Sequence, residues 1–462
     1  MSEHLHIGMI HFKTGDTDGV SLEMDKWREV FLEEGHSVYY CCGERPLPEK
    51  HCTLIPSLSY LSEESRALDK GTFDTLEFYG SEESYAEVLA NRAETLKKEL
   101  LAWVDASLLD VLIVENIWSV GLHPAAAIAL DEVCFERNLR VLAHHYDFYW
   151  ERVVPVRLTC KRSMEVVDCY LPPHTQGYDH VVINSKAQQD LKKRKGLQAT
   201  VIPNVFDFSE GPWEKDSFNG DLRQDFGIAA DDVFLLQATR VVRRKGIELA
   251  VDFAQALQEE LSSYRGLPLY NGKVFSKKSR VVLVLSGTIV NDGGTYLEQL
   301  QEKAKKQNVH LLWIGDRIGH TRSEERGKKT YSLWDTYAHA DMVSYPSYWE
   351  GWGNQLLEAV HAKLPIVLFP YDIYRSDISQ SGFSMIELGE SESLYWNEED
   401  LVQLPPSQIE SAASAARKVL FDRQLRSDMI ESNFIIGQKE FSLSTLRFLL
   451  KPYMTAWSKA LW

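Results

Sequence analysis

The sequence is short of cysteine, of positive charge and of long apolar runs, and each shortage removes a class of protein. Its six cysteines, Cys41, Cys42, Cys52, Cys134, Cys160 and Cys169, all fall in the first 169 of 462 residues and form no C-x-x-C pair. That pattern excludes a disulfide scaffold and gives no zinc spacing, so buried or inert thiols are expected. Lys and Arg number 50 against 67 Asp and Glu, a net charge of −17. So acidic a chain is not a dedicated nucleic-acid binder, nor is it held to anionic membranes by its overall field. No stretch approaches the roughly 20 apolar residues of a membrane span. The opening MSEHLHIGMIHFK lacks the basic region, apolar run and small-residue cleavage site of a signal peptide, so a cytoplasmic protein is expected. The dinucleotide fingerprint G-x-G-x-x-G is missing after the first apolar run, where GDTDG stands, and no P-loop, G-x-S-x-G elbow or H-E-x-x-H occurs.

What remains is an ordinary globular composition, 44% hydrophobic and 25% charged, arranged as alternating apolar runs and amphipathic stretches. This is the pattern of parallel sheets wrapped by helices. HIGMIHF, SVYYCC, DVLIVE (Asp110–Glu115), LRVLAHH (Leu139–His145), HVVINS (His180–Ser185) and ATVIPN (Ala199–Asn204) read as strands of a first series. Between the first two, Val20, Met24, Trp27 and Phe31 fall on one helix face, which Gly35 and His36 end. The polar stretch Val205 to Asp232 reads as a linker with at most a short helix. A second series follows in VFLLQATR (Val233–Arg240), RVVLVLSG (Arg280–Gly287), VHLLWIGD (Val309–Asp316), DMVSYPS (Asp341–Ser347) and LPIVLFP (Leu364–Pro370). The expected fold is α/β, two doubly wound Rossmann-like domains facing a cleft, residues 1–205 and 206–440. In such sheets ligands bind beyond the carboxyl ends of the strands.

The most informative segment is SYPSYWEGWGNQLLEAVHAKLPIVLFP, Ser344 to Pro370. A strand ends at Pro346–Ser347, and a loop carries Glu350, Gly351 and Gly353. A helix begins near Asn354, with Leu356, Leu357, Val360 and Leu364 on its apolar side. Glycines at a helix entry let backbone approach a ligand, and the free amides and dipole of the helix start suit phosphate. Glu358 is four residues in, about 6 Å along the axis, a spacing that puts a diphosphate at the tip and a ribose diol at the carboxylate. Two glutamates eight apart mean little in so acidic a chain. The ordered set of strand, P-S, E-G-x-G, amphipathic helix with a second Glu, and strand is much rarer.

That segment resembles the E-x7-E signature of retaining glycosyltransferases of the GT-B fold, family 4. ATRVVRRKG resembles the family's R-x4-K-G diphosphate clamp, through Arg240 and Lys245. VIPNVFDF is similar to its I-P-N-G-V-D strand exit, with Val205 where glycine is usual, and GDTDGVS, ending the loop at Gly19, to its glycine-rich turn beneath the transferred sugar. AHHYDFYWER stands in the place of its sugar-binding histidine motif. Within the family, ENIWS, HHYDFYWER and EGWGN…PYDIY look most like mannosylglucosylglycerate-type synthases. The resemblance implies hexose transfer with retention from a nucleotide sugar, of GDP-mannose or UDP-glucose type, to a small soluble acceptor. It implies front-face displacement, no tightly bound cofactor and no essential divalent metal. Catalytic roles then fall to Arg240, Lys245, Glu350, His145 and His144, and donor binding to Gly19, Gly353, Asn354, Glu358 and Asp316. The stretch 441–462, with Phe448, Leu449, Tyr453, Trp457 and Leu461 at helical intervals, is expected to cross back onto the first domain.

Of the two histidines, His144 fits A-H followed by an acid three later and His145 fits H-x-D with Asp147; either serves as the sugar contact. Adjacent side chains on a strand end point apart, so His144, His145 and Asp147 make a poor zinc site. RVVPVRLTCKR carries Arg152, Arg157, Lys161 and Arg162, a basic cluster in an acidic protein. Arg152, Arg157 and Asp147 are the acceptor-side residues; the cluster suits an anionic acceptor, or is a solvated loop paired with Glu151 and Glu165. Two other classes share the nucleotide half. A sugar-nucleotide epimerase would draw its acid and base from Asp16, Asp18 and Glu115, and a non-catalytic sensor would use the same contacts without turnover.

Overall fold

In the structure, a computed structural model, residues 4–15, 19–44, 52–152, 156–290 and 295–459 are described. The chain divides into two compact units, Met1–Val205 with Leu443–Trp462, and Phe206–Ser442.

The first unit is built on a seven-stranded sheet: β1 (His6–Lys13), β2 (Ser37–Glu44), β3 (Cys52–Leu54), β4 (Val111–Glu115), β5 (Arg140–His145), β6 (Tyr178–Val182) and β7 (Thr200–Val201). Their order is β3-β2-β1-β4-β5-β6-β7, and every pairing is parallel. Strands covered on both faces read as unbroken apolar runs, and all five residues of β4 are buried. The helix Gly19–Glu33 lays Met24, Trp27, Val30 and Phe31 on one face of the sheet. The helix Leu443–Lys459 joins that core through Leu446, Leu450, Met454 and Trp457. Of the residues expected on the apolar side, Trp457 is buried in that core and Leu449 and Tyr453 pack against it, whereas Phe448 is 74% exposed. Leu461 lies outside the described residues.

The second unit contains β8 (Val233–Gln237), β9 (Val281–Leu285), β10 (His310–Trp313), a small three-stranded sheet of β11 (Ile318–Gly319), β12 (Ser323–Glu325) and β13 (Lys328–Ser332), then β14 (Met342–Tyr345), β15 (Ile366–Leu368) and β16 (Ile386–Glu387). The main sheet runs β10-β9-β8-β14-β15-β16, again all parallel. The stretch expected to be a linker is packed. Phe206 N–H donates to the Phe441 carbonyl at 2.8 Å, and Trp213 stacks on Trp334 with ring centroids 4.2 Å apart. Its polar composition hid three aromatic anchors, Phe206, Phe208 and Trp213, whose burial outweighs the loop's polarity. The return to the first unit starts at Leu443 rather than at residue 441, because Phe441 is buried against Trp352 and Phe383. Leu364, expected on the helix after Gly353, lies beyond its end at His361. No helix among the described residues is long and apolar enough to cross a membrane.

Candidate active site

In the second unit the strand order reverses direction between β8 and β14, and ligand sites of open parallel sheets lie past the carboxyl ends at such points. The loop leaving β8 makes a single 3-10 turn, Arg243–Lys245, and passes Gly246 at φ 56° into the helix Ile247–Ser262. A Cβ at Gly246 would stand 2.5 Å from the Pro346 carbonyl oxygen, so only glycine lets this loop lie against the one leaving β14. Tyr348 N–H donates to the Arg244 carbonyl at 3.2 Å, tying the two loops together.

That contact creates a charge cluster. The Lys245 ammonium donates to one oxygen of Glu350, and Arg244 Nη1 donates to the other at 2.8 Å. Lys245 is 3% and Glu350 7% exposed. Burial pushes the Glu350 carboxyl up, but Lys245 and then Arg244 outweigh it and hold it at about 2. Burial lowers Lys245, opposed by Glu350 and assisted by the charges of Arg244 and Arg240. The cluster thus presents a carboxylate that stays ionised at any working pH, gripped by two cations. Arg240 is exposed at the edge of the same loop.

Behind Glu350 the helix Asn354–His361 starts on Gly353 at φ 122°, where a Cβ would fall 2.3 Å from the Tyr371 hydroxyl. Tyr371 itself donates to the Trp352 carbonyl at 2.7 Å, so the helix entry is clamped from one side. Asn354 stands at the first helical position, half-buried, and Glu358 one turn on is buried and accepts from the Tyr337 hydroxyl at 2.8 Å. Asp316 is exposed in the turn Gly315–Arg317 that follows β10. Lys245, Glu350, Gly353, Asn354 and Glu358 are therefore drawn together around one loop and one helix start.

In the first unit the order reverses between β1 and β4, and its histidines cluster at the same level. His11 on β1 has its Nδ1 2.9 Å from the carbonyl of Glu115, the last residue of β4. His144 and His145 end β5 and point to opposite faces, as successive strand residues must. His144 Nδ1 lies 3.0 Å from the Glu115 carboxylate, and its ring stacks on Trp27 at 4.4 Å. His145 Nε2 lies 3.0 Å from His180 Nδ1; burial first, then His180 and His144, push His145 well below its ordinary value. Both rings are buried, in different company: a carboxylate for His144, a neutral imidazole for His145. Asp147 is held by its backbone, whose N–H, like that of Tyr146, donates to Asn116 Oδ1 at 3.1 Å. Gly19 opens the first helix; Asp16 and Asp18 lie outside the described residues.

The basic stretch after the histidines does not stay one cluster. Arg152 Nη1 donates to Asp69 at 2.9 Å, two further bonds run to the Val120 carbonyl, and the guanidinium lies over the Phe73 ring. Its charge is neutralised by a residue 83 positions earlier, which no local reading exposes. Arg162 pairs with Glu165 at 3.3 Å, as expected. Glu151 instead accepts from Phe148 N–H at 2.7 Å. Arg157 is exposed, held through its own N–H to the Phe73 carbonyl at 2.9 Å. Among the described residues no group of three or more His, Cys, Asp or Glu is placed to hold a metal ion.

Residues 219–382, which carry the Lys245–Glu350 cluster and the helix behind it, match the family described as glycosyl transferases group 1. The mannosylglucosylglycerate synthase of Petrotoga mobilis is 38% identical over 424 residues, 91% of this chain and 94% of that protein. The synthase of the same name from Thermotoga maritima is 35% identical over 450 residues, 96% of this chain and 99% of the relative. The chain belongs to the group 1 glycosyltransferase family. Among solved structures, sucrose-phosphate synthase from Thermosynechococcus elongatus superposes with a TM-score of 0.61, covering 98% of this chain and 99% of that one at 15% identity. At that identity the likeness speaks for the GT-B fold of this glycosyltransferase and for nothing finer.

Arg244, Tyr337 and Asn116 are not singled out along the chain, yet in its own unit each is bonded to a residue of the candidate site or its backbone. Each acts through a partner far away in sequence, 106 positions for Arg244 and Glu350, 21 for Tyr337 and Glu358, 30 for Asn116 and Tyr146.

Proposed function

We propose that this glycosyltransferase moves a hexose, with retention, from a nucleotide sugar to a small anionic acceptor of the glucosylglycerate kind. The observation that carries the proposal is the pair of cations locked on buried Glu350 at the carboxyl ends of β8 and β14. The likeness to two synthases named for mannosylglucosylglycerate supports the choice of mannosyl transfer from a GDP-mannose-type donor, with UDP-glucose as the alternative. As the bond between the anomeric carbon and the diphosphate oxygen breaks, the leaving group gains one negative charge. Arg240 and Lys245 stabilise that charge more in the transition state than before it. The acceptor hydroxyl oxygen forms the new bond on the same face, and its proton passes to the departing phosphate oxygen. Glu350, permanently ionised, accepts hydrogen bonds from hexose hydroxyls, and Glu358 from the ribose diol. Gly353 and Asn354 offer backbone amides to phosphate at the helix start, while Asp316 and Gly19 complete the donor contacts. In the first unit His145 or His144 takes the hexose contact. Arg157 is better suited than Arg152 to an acceptor carboxylate, since Arg152 is already neutralised by Asp69.

Incubation of the purified protein with GDP-mannose or UDP-glucose and glucosylglycerate tests this directly. Mass spectrometry is expected to show a hexosylated product, and NMR of its anomeric proton the configuration of the donor. No transfer from either donor, or an inverted product, would overturn the reading.

A further inference from the structure

Glu350 has two oxygens and a separate cation on each, Lys245 on Oε1 and Arg244 on Oε2. The two cations are not equivalent. Lys245 is buried, a point charge whose hydrogen-bond partner here is Glu350. Arg244 is about a third exposed and held three ways. Its Nη1 donates to Glu350 at 2.8 Å and to the Trp349 carbonyl at 3.1 Å, and its guanidinium lies 5.3 Å from the centre of the Trp349 ring. If Lys245 serves a diphosphate, as the proposed function has it, the ammonium is drawn away from Glu350 toward a ligand of higher charge. A buried carboxylate stripped of its partner is strongly disfavoured and reorients or takes up a proton. Glu350 avoids this because its second cation sits on a planar fork fixed by an aromatic face and a backbone carbonyl.

We propose that Arg244 is a positioning residue that holds the Glu350 carboxylate in place while Lys245 moves from it to the donor diphosphate. The inference rests on the proposed function for the roles of Lys245 and Glu350. It adds an exchange of partners, with Arg244 as the member that stays. The groups facing Glu350 are few. Lys245 and Arg244 come from the β8 loop, Tyr345 from β14, Ser347 from the loop leaving it and Tyr371 from the segment after β15; Ser347 offers only a neutral hydroxyl, and both tyrosines are buried and held well above their ordinary value, so none of the three replaces a lost cation.

The test compares R244Q and R244K with wild type, using GDP-mannose and glucosylglycerate from pH 4 to 9, with GDP binding measured alongside by calorimetry. Loss of one charge-assisted partner is expected to lower kcat of R244Q by about 10- to 100-fold. The rate of R244Q should fall further below wild type toward pH 4 than at pH 7, because burial of Glu350 is then opposed by a single cation that the diphosphate competes for, and its carboxyl climbs from about 2 toward the assayed range. GDP affinity and donor KM should stay within about threefold of wild type, and R244K should recover part of the rate at both pH values. An R244Q profile that overlays wild type overturns the proposal. So does a tenfold loss of GDP affinity with kcat unchanged, since Arg244 would then be a phosphate ligand. A parallel E350Q variant separates the two levels: full activity there would defeat the assigned role of Glu350 itself, whatever Arg244 does.

Discussion

Arg240 and Lys245 stand five residues apart on one loop, yet their surroundings predict different consequences for removing them. Arg240 is exposed, so Arg240→Ala should leave the melting temperature unchanged while cutting turnover by on the order of 100-fold, the usual effect of losing one transition-state donor. Lys245→Ala should lose activity to a similar degree and also destabilise the fold. It leaves Glu350 buried with Arg244 alone, a change worth up to about 3 kcal/mol by analogy with broken buried pairs. Thermal melts with parallel kinetics check the contrast; equal melting temperatures for both variants would contradict the buried geometry. Glu358→Gln is the milder probe. The amide still accepts from Tyr337 but loses the charge that strengthens bonds from a ribose diol, so nucleoside-diphosphate binding should weaken by roughly 1–3 kcal/mol in calorimetry.

At the scale of the element, the helix Asn354–His361 is only eight residues long and depends on how it starts. Gly353→Ala would place a methyl group 2.3 Å from the Tyr371 hydroxyl, at a φ of 122° that alanine adopts only with strain. Tyr371 must then give up its bond to the Trp352 carbonyl, and the helix start must shift. The expected result is a destabilisation of about 2 kcal/mol or more together with weaker nucleotide binding, read from a urea melt and a titration. A variant with native stability and native affinity would mean the entry relaxes freely. The same element shows how local reading fared. Its start near Asn354 and its apolar side followed from spacing. Its end did not, because Leu364 continues the periodicity after the chain has already turned toward β15.

At the scale of the molecule, stability should depend on pH through histidines buried in their neutral form. Burial lowers His123 and His180 from 6.5 to about 4, and also pushes His145 well below its ordinary value. The unfolded chain therefore binds protons below pH 6.5 that the folded chain refuses. Stability from these groups is complete above about 6.5 and is lost as pH falls toward 4, on the order of 3 kcal/mol for His123 and for His180. Glu350 adds a loss of the same sign only below the ordinary carboxylate range, between 4.5 and about 2. Urea midpoints should thus decline between pH 6.5 and 4, and His180→Gln should flatten part of that decline. A midpoint constant over that window would contradict it.

The eleven apolar runs read as strands each overlap a strand of the two main sheets, because a strand covered on both faces announces itself as an uninterrupted run whatever lies around it. The spacing of Arg240, Lys245, Glu350, Gly353 and Glu358 was equally visible, since each lies within a loop or one helical turn of a strand end. What depended on the tertiary structure is which groups meet. Glu350 finds its cations 105 and 106 residues away only because β8 and β14, distant in sequence, are neighbours in the sheet. Asp69 claims Arg152, and three aromatics fasten a stretch whose composition reads as linker. Periodicity reports the environment that a segment requires, and so it is written locally. The partner that satisfies a charge or fills a gap is set by topology, which brings together residues that share no local pattern.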